Sequence, residues 1–387
     1  ATELAKGRQP HEMCRPMTTS RAGFIEGAGS ALQIVCAAST ALEMGAPIYA
    51  ILAFAACASD KWGRSVPAPG KGVMGHAREV KPRFETPLLD INYRRSRLAA
   101  ARERIEQDAV VDAQRVAVSA TTIGDPETAA AFIAEQTEFL ARQKTRLLRA
   151  AQHEWTAGFF VMDPTISPLR GALAVYGLTV DDIDMAQFHG TSTRANDPNE
   201  SEVYHRELRH LGRERGHALC VSTQKWLTGH AKGASCGFMA NGAIQAMLEG
   251  VLPPNRNADD IDPALRKFDT LFYPSVTIHK HRPLRAVMLS SFGFGQQGAQ
   301  VVLVHPDYIL ASVDADTRAR YTARREERWH NAYGALEAAI TGRRSWIDVK
   351  PEAPYTEEDE LTVRLDPTVR AVADSSGEYR IRPTAKP

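Results

Sequence analysis

No apolar run in this 387-residue chain approaches the roughly 20 residues of a bilayer span; the longest, around residues 46–58, is about a dozen. A soluble, cytoplasmic protein is therefore expected. An excess of charge is missing as well. Lys plus Arg number 47 against 46 Asp plus Glu, and no basic block stands out, so neither nucleic acid nor a membrane surface is an expected partner. Cysteine is scarce: Cys14, Cys36, Cys57, Cys220 and Cys236 are odd in number and form no C-x-x-C pair, which reads as reduced thiols rather than a disulfide framework. His279 and His281 form an isolated H-x-H with no carboxylate or thiol nearby, short of a zinc ligand set, so no metal is expected. There is no repeat at a fixed period. Residue 1 is Ala, and no charged then apolar leader follows it, so the chain is expected to be a piece of something longer. What is present is ordinary globular composition, 43% hydrophobic and 24% charged, enough for two or three domains or one large one.

Residues 31–44 place Leu32, Val35, Cys36 and Leu42 at helical spacing before Gly45 and Pro47, which predicts a buried helix. Residues 48–56 are unbroken small and apolar, as in a strand covered on both faces. Cys57 ends that strand without a glycine turn, so it reads as a buried inert thiol. Residues 65–75, rich in Pro and Gly, predict an ordered loop. Residues 93–155 shift to Ala, Arg, Glu and Gln and predict two helices broken near residues 121–126. Asp125 caps the second, Pro126 is its first residue, and Phe132, Phe139, Leu140, Leu147, Leu148, Ala151 and Trp155 form its stripe. Strand ends are expected near Phe188 and Ser222, a tightly packed helix over 233–248, and a hairpin from runs 285–290 and 300–304. Beyond Asp307 the pattern weakens, and residues 346–387 read as a linker or edge-packed tail.

Three clusters at strand ends could carry chemistry. Phe188-His189-Gly190-Thr191-Ser192-Thr193, followed by Asp197 and Glu200, can present an imidazole and several hydroxyls to one ligand; a surface loop is the plainer alternative. Lys225-Trp226-Leu227-Thr228-Gly229-His230 brings a Lys and a His to the start of the small-residue helix, where developing negative charge is favoured; solvated surface charges are the alternative. Ser291-Phe292-Gly293-Phe294-Gly295-Gln296-Gln297-Gly298 contains G-x-G-x-x-G but leads into a strand, which excludes a dinucleotide fingerprint and leaves a flexible wall able to offer a backbone N–H to an oxyanion, or a plain turn.

In this order the three motifs resemble the second half of a β-ketoacyl synthase of the thiolase fold. Residues 64–72, Pro168-Leu169-Arg170-Gly171-Ala172-Leu173, Ser291-Phe292-Gly293-Phe294-Gly295-Gln296 and Val304-His305-Pro306-Asp307-Tyr308 narrow the resemblance to the ketosynthase of the fungal type I fatty acid synthase alpha subunit, over nearly the whole chain. The resemblance implies an α/β fold of thiolase type, layered α/β/α/β/α, with an incomplete N-terminal half. It divides the chain into ketosynthase core (1–92), helical insertion (93–160), C-terminal half with the histidines (161–330) and extension (331–387).

The implied chemistry is decarboxylative Claisen condensation. His189 and His230 would stabilise the enolate of a decarboxylating malonyl group, with Lys225 in electrostatic support and Glu200 as its charge partner, assisted by Asp197. Thr191 and Thr193, with Thr228, Gly293 and Gly295, would meet the phosphopantetheine arm, and Phe294 would gate the cysteine and supply an oxyanion N–H. No cofactor is implied beyond the phosphopantetheine of an acyl carrier protein. That carrier domain, a homodimer through the ketosynthase fold and a larger alpha/beta synthase assembly are the implied partners. The family's Gly-x-Cys-x-Ser/Thr elbow falls upstream of Arg15-Pro16 and of Arg21-Ala22-Gly23-Phe24, so this chain is expected to lack the nucleophile and not to elongate acyl chains as printed. A specialised synthase making a short starter chain and an inactive dimerising scaffold are the alternatives.

Overall fold

The computed structural model describes residues 2–61, 70–79, 85–161, 163–293, 297–347, 356–358, 360–361, 370–373 and 379–382. Contacts divide the chain into two units, Ala1–Ala319 and Arg320–Pro387.

In the first unit, α1 (Thr2–Ala5) and α2 (Ala38–Met44) precede β1 (Ile51–Ser59). Two long helices follow, α3 (Ile91–Ala120) and α4 (Pro126–His153), then the short α5 (Phe159–Val161) and α6 (Pro168–Val175). The core alternates β2 (Ile183–Gln187), α7 (Asn196–His210), β3 (Leu219–Ser222), α8 (Lys225–Thr228) and α9 (Ser235–Glu249). Short strands β4 (Val251–Leu252), β5 (Leu271–Phe272) and β6 (Ile278–His279) lead to the hairpin of β7 (Ala286–Gly293) and β8 (Gln297–Val304), then to α10 (Asp307–Leu310); α11 (Ala315–Ile340) starts in the first unit and lies mostly in the second. In the second unit β9 (Arg370–Ala373) pairs antiparallel with β10 (Tyr379–Arg382).

One six-stranded sheet, in the order β1-β8-β7-β2-β3-β5, organises the first unit. The central strands β7, β2, β3 and β5 run parallel, whereas β8 and β1 are antiparallel additions. All five residues of β2 are buried, as a parallel strand covered on both faces requires. Leu169, Leu173, Tyr204 and Leu208 from α6 and α7 pack with Met288 and Val302 on one face. Met239, Ala243 and Met247 from α9 pack with Val287, Leu289 and Leu303 on the other. Helix–sheet–helix layering is the result.

The structure corrects several expectations. Only residues 38–44 are helical; residues 31–37 are irregular, with Leu32, Ile34 and Val35 exposed. Tertiary contacts override the helical spacing there. A side chain at Gly29 would strike the Phe238 ring at 2.5 Å, one at Gly237 would strike Ala31 at 2.4 Å, and Gln33 donates to the Gly237 carbonyl (3.4 Å). The strand expected to be covered on both faces is instead the edge strand β1, with Leu52, Ala55, Cys57 and Ser59 exposed. Cys57 is thus an exposed thiol, because its side chain points to the face of β1 that no helix among the described residues covers. On α4, Phe139 and Leu147 are exposed and fall outside the face turned to α3, although Asp125 does cap the helix by accepting from the Thr128 N–H (2.8 Å). The 26-residue helix α11 occupies a stretch whose charged composition gives no clear apolar periodicity, and it runs through the boundary expected at residue 330. Part of the loop expected over 65–75 lies outside the described residues. No helix among the described residues is long and apolar enough to cross a membrane.

Candidate active site

Because β2, β3 and β7 are parallel neighbours, their C-terminal ends open on the same edge of the sheet, where side chains of different strand-to-helix loops converge. His189 follows β2, Lys225 opens α8 just after β3, and Ser290 and Ser291 close β7.

The turn after β2 depends on Gly190. Its φ is +43°, and a Cβ there would stand 2.7 Å from the Thr223 methyl. Ser192 also has positive φ (62°), and hydrogen bonds hold it there: Arg15 N–H donates to its Oγ (3.0 Å) and Gly23 N–H to its carbonyl (2.9 Å). Beneath the turn lies the fully buried carboxylate of Glu200. Its Oε1 accepts from the His189 N–H (2.6 Å) and the Ser290 hydroxyl, and its Oε2 from the Gly190 N–H (2.9 Å) and Asn196 Nδ2 (3.2 Å). Asp197, also buried, accepts from Met17 N–H (2.8 Å) and is pushed up to about 6 by desolvation. Arg21 stands 3.8 Å from Asp197, donates to the Thr193 carbonyl (3.1 Å) and pairs with Asp262 (2.7 Å). These contacts bind residues 15–21 to the His189 loop.

The two histidines meet. Their ring centroids are 5.1 Å apart and their planes nearly perpendicular, at 89°. Lys225, 1% exposed, donates from Nζ to the His189 carbonyl (2.6 Å) and lies 3.4 Å from His189 Nδ1. An ammonium only donates, so His189 Nδ1 is the acceptor and the proton of the neutral ring sits on Nε2. His230 follows the same logic: its Nδ1 accepts from the Lys232 backbone N–H (3.1 Å), with Ser235 Oγ at 3.1 Å, which again leaves Nε2 protonated. Burial, reinforced by the Lys225 charge, holds the His189 ring well below its ordinary range and takes His230 down to about 4. Both imidazoles are therefore neutral near pH 7, each with one N–H free of protein acceptors among the described residues. Such a pair can donate two hydrogen bonds to one oxygen that gains negative charge. Burial pulls Lys225 down and Glu200 up, and each opposes the other's shift through its charge. No ion pair joins the two among the described residues; they act on each other at longer range, through the turn that holds His189.

The structure brings His189, His230, Lys225 and Glu200 into one network, with Thr191 and Thr193 beside it, their hydroxyls 3.0 Å apart. Thr228 turns its hydroxyl onto the Gly229 carbonyl (3.0 Å). Gly293 ends β7, whereas Phe294 and Gly295 lie outside the described residues. Sequence reading misses Ser290, Asn196, Met239 and Ser235, which hold the reactive groups without being reactive themselves. Only the spacing of Asn196 and Glu200, one helical turn apart, could have signalled one of them.

Residues 164–259 match the family described as Beta-ketoacyl synthase, C-terminal domain. The chain is 46% identical over 376 residues to the fatty acid synthase subunit alpha of Lachancea kluyveri, and 43% over 374 residues to that of Saccharomyces cerevisiae, in each case 96% of this chain. It spans about one fifth of the length of those relatives (20%). Among solved structures it resembles the noncanonical ketosynthase FabY from P. aeruginosa, with a TM-score of 0.51 at 17% identity over 94% of this chain and 47% of that one, a likeness of fold. The α/β architecture is thus thiolase-like, and the chain carries a β-ketoacyl synthase C-terminal domain within a sequence homologous along nearly all its length to fungal fatty acid synthase subunit alpha.

Proposed function

We propose that this chain supplies the decarboxylation half of a β-ketoacyl-acyl carrier protein synthase site in a fungal-type fatty acid synthase. The observation that carries the reading is the perpendicular pair of neutral histidines, His189 buried and His230 half-buried, with both Nε2–H groups available. Malonyl arrives as a thioester on the phosphopantetheine of a carrier domain, and Thr191 and Thr193 bond that arm. The bond between the carboxylate carbon and Cα breaks, CO2 leaves, and the electron pair passes into the thioester as an enolate. Its oxygen takes hydrogen bonds from His189 and His230, which bear no charge that would hold the carboxylate back. The carbanion attacks an acyl thioester; the new C–C bond forms and a cysteine thiolate departs. No cysteine is among the hydrogen-bond or ring partners of the two histidines within the described residues. The cytoplasm, a homodimer and a larger alpha/beta assembly complete the proposal.

The test measures malonyl-thioester decarboxylation by the full-length protein. His189→Ala and His230→Ala should each lower the rate on the order of 10²–10³-fold, the loss typical of one oxyanion donor. Near-natural rates in both variants would overturn the reading.

A further inference from the structure

Helix α7 carries a buried row of polar side chains where a core-facing helix ordinarily has apolar ones. Asn196, Glu200, Tyr204 and Glu207 follow one another at intervals of four, four and three residues, and all four are buried. Asn196 and Glu200 belong to the site described above; Glu207, two turns further on, does not. Its Oε2 accepts from Gln300 Nε2 on β8 (2.6 Å), and Gln300 Oε1 stands 3.0 Å from His76 Nδ1. An amide oxygen only accepts, so His76 carries its proton on Nδ1. The other Glu207 oxygen, Oε1, and the Tyr204 hydroxyl are buried with no hydrogen-bond partner among the described residues. No cation balances a charge on Glu207. His76, from the turn at residues 73–77, is held below the ordinary histidine range by desolvation. Arg170, which reaches this end of α7 at the Leu211 carbonyl (3.0 Å), is paired twice with Glu79 (2.6 and 2.9 Å), and His210 Nε2 accepts from the Glu79 N–H (3.1 Å). Met288, Val302 and Leu265, from β7, β8 and the turn at residues 263–265, share this core and are apolar. A fully buried carboxylate that has one neutral amide as its donor takes up a proton rather than stay charged.

With that proton on Oε1, every donor in the row points the same way: His76 to Gln300, Gln300 to Glu207 and, at the far end, Ser290 to Glu200. We propose that Glu207 is a resident neutral acid that donates to one internal water, which donates to Tyr204 as Tyr204 donates to Ser290, so that Glu207 is a positioning residue for the His189 turn. Tyr204 stands one turn from Glu200 and one from Glu207 on the same face; a charge on either acts on its hydroxyl, and Ser290 lies beside it. A water between Tyr204 and Glu207 meets two otherwise unpartnered buried atoms, the service that internal waters ordinarily perform. When Glu207 ionises, at about pH 8, both its oxygens accept, the water turns round, and Tyr204 donates to the water instead of to Ser290. The inference does not depend on the reaction proposed above.

Infrared spectroscopy of the full 387-residue chain near neutral pH tests the proton. Glu207→Gln keeps a donor and an acceptor in place and should lose the C=O band of one protonated carboxyl relative to the natural chain; loss of an ionised-carboxylate band instead overturns the proposal. Hydrogen–deuterium exchange of the peptide covering residues 186–195 tests the positioning. Glu200 and Lys225 titrate over the same range, so the effect is read as a difference. From about pH 7 to about pH 9 the local opening constant of the natural chain should rise roughly 2- to 13-fold more than that of Glu207→Gln, the net worth of one hydrogen bond. Tyr204→Phe, with no hydroxyl to turn, should keep the carboxyl band and lose the extra rise. Parallel exchange curves for the natural chain and either variant overturn the proposal. A high-resolution crystal structure should place one ordered water within hydrogen-bond distance of Tyr204 Oη and Glu207 Oε1, and any other arrangement of the two atoms overturns the site.

Discussion

Replacing Glu200 with Gln is expected to loosen the turn that carries His189, by an amount the hydrogen-bond geometry sets. Four donors converge on the carboxylate, two per oxygen: the His189 N–H and Ser290 hydroxyl on Oε1, the Gly190 N–H and Asn196 amide on Oε2. A glutamine can present its oxygen to only one of these pairs. Its NH2 then faces the other pair, in which Ser290 or Asn196 can rotate to accept but the backbone N–H cannot. Whichever way the amide turns, one buried backbone N–H loses its acceptor, which costs about 1–3 kcal/mol. At 1.36 kcal/mol per decade that is a roughly 5- to 150-fold rise in the local opening constant. Hydrogen–deuterium exchange of the peptide covering residues 186–195 reads it directly, with the peptides of β7 and α9 as internal reference. Exchange unchanged within about twofold would refute the account, because Glu200 would then be a neutral acid in the natural protein, with Gln as its near-equivalent. Ser290→Ala should have a smaller effect, since it removes a rotatable donor and leaves both backbone N–H groups satisfied.

Two further outcomes follow from the same site. His189 and His230 are both held below the 6.5 of an unfolded histidine, so their protonation opposes folding. Stability is complete above about pH 6.5 and declines as the pH falls through about 4 for His230, and further still for His189. Burial raises Asp197, Glu200 and Glu207, which gain stability as the pH falls over the same window, so the histidine contribution is read as a difference: between pH 7.5 and 4 the natural chain should lose melting temperature relative to His230→Gln, and parallel curves for the two would count against the assignment. Gly190→Ala should cost about 1–2 kcal/mol for the left-handed backbone alone, plus the clash with the Thr223 methyl at 2.7 Å. Adding Thr223→Ser removes that methyl and should recover part of the loss in melting temperature, but not all of it.

The site was legible in the sequence because its reactive groups stand immediately beyond strand ends, where a hydrophobic run gives way to a short polar motif. His189 after β2 and Lys225 after β3 are placed by local pattern alone, and their convergence needs only that the two strands be parallel neighbours. Ser290 and Ser235 carry no such mark. A serine closing a buried strand becomes a carboxylate ligand only when a helix more than 80 residues earlier in the chain delivers Glu200 to it.

The same division runs through the fold. Residues 31–37 and 51–59 are both rich in small and apolar side chains, and local spacing assigned each to a buried element. Which side chains are buried depends on what packs over them, and no helix among the described residues covers one face of β1 or the side chains of Leu32, Ile34 and Val35. What the sequence by itself determined was the kind of chemistry, through short motifs whose residue types are dictated by hydrogen bonding and backbone conformation. Only the tertiary structure decided which imidazole nitrogens are free, which carboxylate stays paired, and which apolar faces remain uncovered. Each of these depends on groups that distant segments bring to within a few ångströms, and burial changes their charge and exposure where spacing along the chain cannot.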